Sequence, residues 1–185
     1  MAVEHLLGEP LPDLPLPASD GRRVSLARLG PGRTIVYAYP WIAGPDGAPP
    51  SPDWDAIPGA RGCTPESCGF RDHAAELGEL GAAVLGLSAQ PTELQREAAA
   101  RLRLPFALLW DEDLRLTSEL GLPTFRAAGR TLLRRLTLVV RDGLVERVWY
   151  PVVAPDRHAE DILGWLRRSQ DACAASAAGR PGAGR

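Results

Sequence analysis

Apolar residues fall along the chain in two rhythms. Short solid runs of β-formers alternate with stretches in which apolar residues recur every three or four positions. Asp20-Gly21 is a tight-turn signal, with Val24 and Leu26 alternating after it, and predicts a small β-hairpin. Residues 34–39 form a buried strand that Pro40 ends. A helix is expected over 65–80, with Phe70, Ala74, Leu77 and Gly81 along its buried face. A strand at 83–87, a helix at 91–103, a strand at 106–109 and a helix at 113–120 follow. Residues 132–140 and 144–150 read as two strands around the turn Arg141-Asp142-Gly143. The last helix covers 155–168, with Ala159, Ile162, Leu163 and Leu166 on one face. Alternation first and an antiparallel pair late predict an α/β fold: a mixed central sheet flanked by helices, with an N-terminal β-hairpin. A thioredoxin-like fold fits that order.

Three segments lack either rhythm. Residues 1–18 are Pro-rich and read as extended. Residues 41–61 carry Pro45, Pro49, Pro50, Pro52 and Pro58 with Trp41 and Trp54, and read as an inserted Pro/Gly-rich loop. Loops this long are uncommon in compact domains and are often functional, the alternative being a tolerated surface insertion. Residues 171–185 are rich in Ala, Gly and Arg and read as a disordered tail. One domain over 1–170 is therefore expected.

Composition narrows the function. A chain of 185 residues, 45% hydrophobic and 24% charged, suits one globular domain. A formal net charge of -2 gives no electrostatic reason to expect nucleic acid or an anionic membrane. Every basic residue is Arg, which reads as coding bias. No apolar run approaches the roughly 20 residues that span a bilayer. The N-terminus lacks a basic region followed by a long apolar one, so a cytoplasmic location is expected. The cysteines are Cys63, Cys68 and Cys173, an odd number that does not suggest a static disulfide framework.

The close pair Cys63 and Cys68 carries the candidate chemistry. Cys63 follows a loop and sits at a helix start, where the positive helix end lowers a thiol pKa and favours the reactive thiolate. Cys68 lies ~140° further round the helix, with the two Cα atoms ~8 Å apart. A disulfide needs them within roughly 7 Å, so bonding the pair requires the first helical turns to unwind. Other readings remain: two buried core cysteines, or a metal site of Cys63, Cys68 and His73, whose ligands would fan out rather than converge. A dithiol-exchange enzyme would favour Cys-x-x-Cys, although residues 122–125 resemble the cis-proline segment of thioredoxins.

The segment Gly62-Cys63-Thr64-Pro65-Glu66-Ser67-Cys68, continuing to Arg71-Asp72, resembles the active-site signature of peroxiredoxins of the bacterioferritin-comigratory, or peroxiredoxin Q, subfamily. Tyr39-Pro40, Gly86-Leu87-Ser88 and the run from Arg135 to Gly143 extend the resemblance. It implies a thioredoxin-like fold and a thiol peroxidase that reduces hydrogen peroxide or organic hydroperoxides. Cys63 would be the peroxidatic thiol, Cys68 its resolving partner in an intramolecular disulfide, and Arg135 the arginine that holds the thiolate and polarises peroxide. Thr64, Glu66 and Pro40 would contribute to substrate binding. No cofactor or metal is implied. The partners would be peroxide and a dithiol reductant such as thioredoxin, with the chain a monomer or weak homodimer. Strand alternation separates Arg135, Thr137 and Val139 from Arg134, Leu136 and Leu138, so Arg134 and Arg135 cannot share one role. The sequence departs from the family at Ala60, where a Thr or Ser usually offers a hydroxyl to peroxide, and in the inserted loop. Ser51 or Thr64 could supply the missing hydroxyl. A thioredoxin-like oxidoreductase and a non-catalytic redox sensor on the same fold are the alternatives.

Overall fold

A computed structural model describes residues 3–178, with side chains through 172. The strands are β1 (Pro15–Pro17), β2 (Arg23–Ser25), β3 (Arg33–Ala38), β4 (Ala82–Ser88), β5 (Leu108–Trp110), β6 (Thr124–Ala127), β7 (Arg130–Leu133), β8 (Leu136–Arg141) and β9 (Leu144–Trp149). The helices are α1 (Cys63–Asp72), α2 (Ala74–Glu79), α3 (Thr92–Arg101), α4 (Arg115–Glu119) and α5 (His158–Ala178). The central sheet runs β5-β4-β3-β8-β9. β3 pairs parallel to β4 and antiparallel to β8, which makes the sheet mixed, as the order of elements predicts.

β3 is buried on both faces because it is central, and its solid apolar run follows from that. Val36 and Ala38 join Leu85, Leu87, Leu136 and Leu138 in a cluster beneath the N-terminal segment and α4. Ile35, Tyr37 and Tyr39 face Phe70, Leu77, Ile162 and Leu166 from the helices on the opposite face. Cys63 belongs to this second cluster. A third cluster seats the insertion: Trp54 and Ala60 pack on Ala127 and Leu132 of the β6–β7 hairpin.

Four boundaries differ from expectation, each for a physical reason. The helix expected at 65–80 begins at Cys63 and breaks at His73 into α1 and α2. Gly62 makes the early start possible: its φ is +102, and a Cβ there would lie 2.4 Å from Pro155 Cγ. The single strand expected over 132–140 is two, β7 and β8, with Arg134 and Arg135 at the bend between them. The hairpin β6–β7 has no strong apolar alternation of its own and escapes the sequence pattern. The tail expected to be disordered from 171 is helical through Ala178, so Cys173 falls within α5; residues 179–185 lie outside the described residues. Among the described residues no helix is long and apolar enough to cross a membrane.

Candidate active site

β3 ends at Ala38, and the chain returns to the same end of the sheet only after the insertion, at Cys63. Pro40 marks the exit; its carbonyl accepts the Ser88 hydroxyl at 3.3 Å. Gly62 then turns the backbone into α1, and Cys63 is its first residue. The thiol sits only 3% exposed, against the positive end of the helix.

Arg135 reaches this thiol from the bend between β7 and β8. Its Nη2 donates to Cys63 Sγ at 3.1 Å and to the Arg61 carbonyl at 2.9 Å. Its Nη1 donates to Glu66 Oε2. Glu66 lies one turn beyond Cys63 and is fully buried, so a single guanidinium serves two acids with little contact to water. The Cys63 thiol can donate to the Ala60 carbonyl, 3.6 Å away.

The electrostatics depart from the helix-end expectation. Burial pushes the Cys63 thiol up, while Arg135 and the Trp41 backbone N–H pull it back and Glu66 adds repulsion. Desolvation outweighs the helix end and the arginine, so the thiol lies above, not below, its ordinary value. Burial also raises Glu66 to about 7, against the pull of Arg135. One cation between two buried acids favours one shared proton, carried either by sulfur or by the carboxylate.

Around this core α1 is pinned by aromatic packing. Tyr37 on β3 stacks on Phe70 with ring centroids 4.7 Å apart, and its hydroxyl donates to Ser67 Oγ at 3.0 Å. His158, at the start of α5, meets Phe70 edge to face and lies 2.9 Å from Thr137 Oγ1. Burial, with Arg135 adding to it and Asp161 opposing, lowers His158 to about 4, so it is neutral here. Thr137 and Val139 share the inward face with Arg135, whereas Leu136 and Leu138 face the other cluster and Arg134 stacks over Phe125.

A cleft of about 310 Å³ opens above the thiol, lined by Cys63, Thr64, Pro65 and Ala60 at its base and by insertion residues along its wall. Thr64 therefore lies where the sequence places a substrate contact. Pro40 and Glu66 do not line this cleft; Glu66 acts on Arg135 instead, and Pro40 is replaced in the lining by Trp41. Ser51 is also outside the lining.

The arrangement joins a sheltered thiol, a guanidinium and a second thiol on the same helix, and comparison with known proteins agrees with that chemistry. The Redoxin family matches residues 6–163. A putative peroxiredoxin bcp from Coxiella burnetii is 30% identical over 90% of this chain and 100% of its own. Peroxiredoxin Bcp from Escherichia coli is 31% identical over 86% of this chain and 94% of its own. The chain is a peroxiredoxin of the Bcp/peroxiredoxin Q group. A solved structure of peroxidoxin BcpB from Mycobacterium tuberculosis matches this peroxiredoxin with a TM-score of 0.70 and 28% identity, over 88% of this chain and 96% of its own. Xanthomonas campestris peroxiredoxin Q matches with a TM-score of 0.68 and 25% identity, over 89% and 98%. The fold is thus the thioredoxin-like one, and the activity is that of a thiol-dependent peroxidase.

Sequence reasoning missed four contributors to the peroxiredoxin's site. Tyr37 and Ser67 were hidden because each reads as a strand or helix filler; only the register of β3 against α1 joins them. His158 reads as a helix-start polar residue, and its pairing with Thr137 appears only when α5 is laid across β8. The Trp41 backbone carries no side-chain signal at all.

Proposed function

We propose that this chain reduces peroxides through Cys63, with Arg135 holding the thiolate, Cys68 resolving the product, and a thioredoxin-type dithiol restoring both thiols. The observation that carries the reading is the Arg135 guanidinium bridging Cys63 Sγ and Glu66. When Glu66 takes the shared proton, Arg135 is left to the sulfur. The thiolate attacks the terminal peroxide oxygen, the O–O bond breaks, and the alkoxide or hydroxide leaves as alcohol or water after taking a proton. Cys63 is then a sulfenic acid. Arg135 and the helix-start N–H groups offset the charge that develops on the oxygens. Thr64 lies at the cleft base and supplies the hydroxyl that Ala60 lacks.

Cys63 and Cys68 both lie inside the intact α1 as free thiols. Helix geometry keeps them too far apart to bond. Resolution therefore begins with unwinding of the first turns of α1; Cys68 attacks the sulfenic sulfur, water leaves, and the disulfide forms. The domain over 1–170, a cytoplasmic location and a monomeric or weakly dimeric state accompany this reading.

The test is stopped-flow oxidation followed by mass mapping. Wild type should yield a Cys63–Cys68 disulfide and turn over with a thioredoxin system. Cys63→Ser should consume no peroxide, and Cys68→Ser should stop at Cys63 sulfenic acid. Equal peroxide reactivity in wild type and Cys63→Ser would overturn the assignment. The deep burial of Cys63 and its raised thiol favour a second reading, a redox sensor; oxidation of Cys63 without turnover would select it.

A further inference from the structure

The inserted segment does more than lengthen the loop between β3 and α1. Its start is clamped by Gln90, itself only 2% exposed: the Ile42 N–H donates to Gln90 Oε1 at 3.0 Å, and Gln90 Nε2 donates to the Ile42 carbonyl at 2.9 Å. Arg101 Nη2 donates to the Ala43 carbonyl at 2.7 Å. Further along, Trp54 is buried against Phe125, ring centroids 6.0 Å apart, and Trp41 lies under the Arg130 guanidinium at 5.7 Å. Anchors at both ends make the segment a fixed wall.

The wall brings indole and pyrrolidine groups to the cleft beside the thiol, among polar neighbours. Trp41, Pro49, Pro50 and Trp54 line the side of the cleft whose base is Cys63. Its volume of about 310 Å³ is roughly ten times the share of one water molecule in the liquid, and hydrogen peroxide is little larger than water. A small polar peroxide leaves most of this space unused and gains nothing from indole or pyrrolidine surfaces. Ala60 removes a further hydroxyl at the base. The charged residues of the lining, Asp55 and Arg61, pair with each other at 3.3 Å on the exposed rim, so the cleft offers no free cation to a charged substrate.

We infer that the 41–61 insertion determines substrate choice: Trp41, Pro49, Pro50 and Trp54 hold the hydrocarbon part of a bulky, uncharged organic hydroperoxide while its O–O group meets Cys63. This rests on Cys63 being the peroxide-attacking thiol. Apolar surface buried on the wall stabilises the reacting complex of an aryl or branched-alkyl hydroperoxide and not that of hydrogen peroxide. Trp41 is the specificity residue most open to test, because it is half-buried and its backbone contact to Cys63 survives side-chain truncation.

The test is the second-order rate of Cys63 oxidation by cumene hydroperoxide divided by that by hydrogen peroxide, in the full chain. Wild type should favour cumene hydroperoxide by about tenfold or more, the scale on which a hydrophobic pocket discriminates. Trp41→Ala should move the ratio toward one by opening the wall. Ala43→Phe should do the same by filling the cleft, and it keeps the test decisive if Trp41→Ala folds poorly. A wild-type ratio near one, or a ratio that neither variant changes, overturns the inference while leaving Cys63 chemistry intact. No oxidation of Cys63 by either peroxide overturns the underlying assignment, and the inference with it.

Discussion

Cys63 and Cys68 share one helix and meet opposite surroundings. Cys63 is sealed in the first turn, with Arg135 on its sulfur and Glu66 behind that guanidinium. Cys68 is half-buried, with the Arg71 guanidinium beside it. Arg71 in turn donates to the Leu102 carbonyl at 3.0 Å and ties the far half of α1 to the end of α3. The first half of the helix is therefore held by contacts around the Cys63 sulfur, and the second half by contacts remote from it. An unwinding that brings the sulfurs together has to release the first half: the ion pair, the Tyr37–Ser67 hydrogen bond and the seat of Cys63. The second half can stay in place and present Cys68.

The strongest way to break this contrast is at Arg135. Arg135→Met should lower the rate of Cys63 oxidation by about a hundredfold, the scale seen when one preorganised donor to developing charge is removed. It should also destabilise the fold by about 3–5 kcal/mol, because Glu66 is left buried without its partner. The double variant Arg135→Met/Glu66→Gln separates the two effects. Denaturant unfolding should show recovered stability, while stopped-flow oxidation should stay slow. Recovery of both would mean that Arg135 matters only as a structural counter-ion.

Part of this contrast is legible in the sequence. Spacing puts Cys63 near a helix start and alternation separates Arg135 from Arg134, while the partnership of Cys63 with Arg135 comes from the resemblance to peroxiredoxins. The helix begins two residues earlier than expected, at Cys63 itself, and Thr137 and Val139 share the inward face with Arg135. What spacing could not carry was how strongly burial counts. The helix-end argument treats Cys63 as exposed to a favourable dipole, but at 3% exposure desolvation dominates and the thiol moves up. The same limit applies to Glu66: its place near Cys63 is visible in sequence, its complete enclosure behind Arg135 is not. The insertion was legible as a loop. Its seat on β6–β7 was not, since that hairpin carries little apolar alternation.

Glu66 offers a second, gentler test. Its carboxyl is raised to about 7 in the folded protein, from an ordinary value of 4.5. A raised acid stabilises the fold in its protonated form; that stability is fully present below pH 4.5 and is lost as pH rises through about 7. Glu66→Gln keeps an acceptor for Arg135 and removes the titration, so its stability should change less over that window in denaturant unfolding. The same carboxylate repels the Cys63 thiolate. The variant's curve of oxidation rate against pH should therefore lie on the acid side of wild type. The gain should be up to about tenfold above pH 7 and small below pH 6, where Glu66 is protonated in both folded and reacting states. A curve displaced to the alkaline side would mean that Glu66 assists the thiolate.

The smallest expected effect reports most directly on the two halves of α1. Tyr37 Oη donates to Ser67 Oγ inside the core, one residue before Cys68 and one turn after Cys63. Unwinding of the first turns must break this bond, whereas attack of Cys63 on peroxide leaves it intact. Tyr37→Phe removes the donor without changing the stack on Phe70, and a buried hydrogen bond of this kind contributes about 1 kcal/mol. If unwinding precedes disulfide formation, Tyr37→Phe should speed the step from sulfenic acid to disulfide about fivefold, with no matching change in the first oxidation step. Less sulfenic acid should then survive to be overoxidised at high peroxide, which intact-mass measurement reads as less sulfinic acid. Ser67→Ala should act in the same direction, and by more, because it strands the Tyr37 hydroxyl in the core. A Tyr37→Phe protein with an unaltered disulfide step would place the barrier elsewhere, in the release of Arg135 from Glu66. Combining Tyr37→Phe with Glu66→Gln would then reveal it.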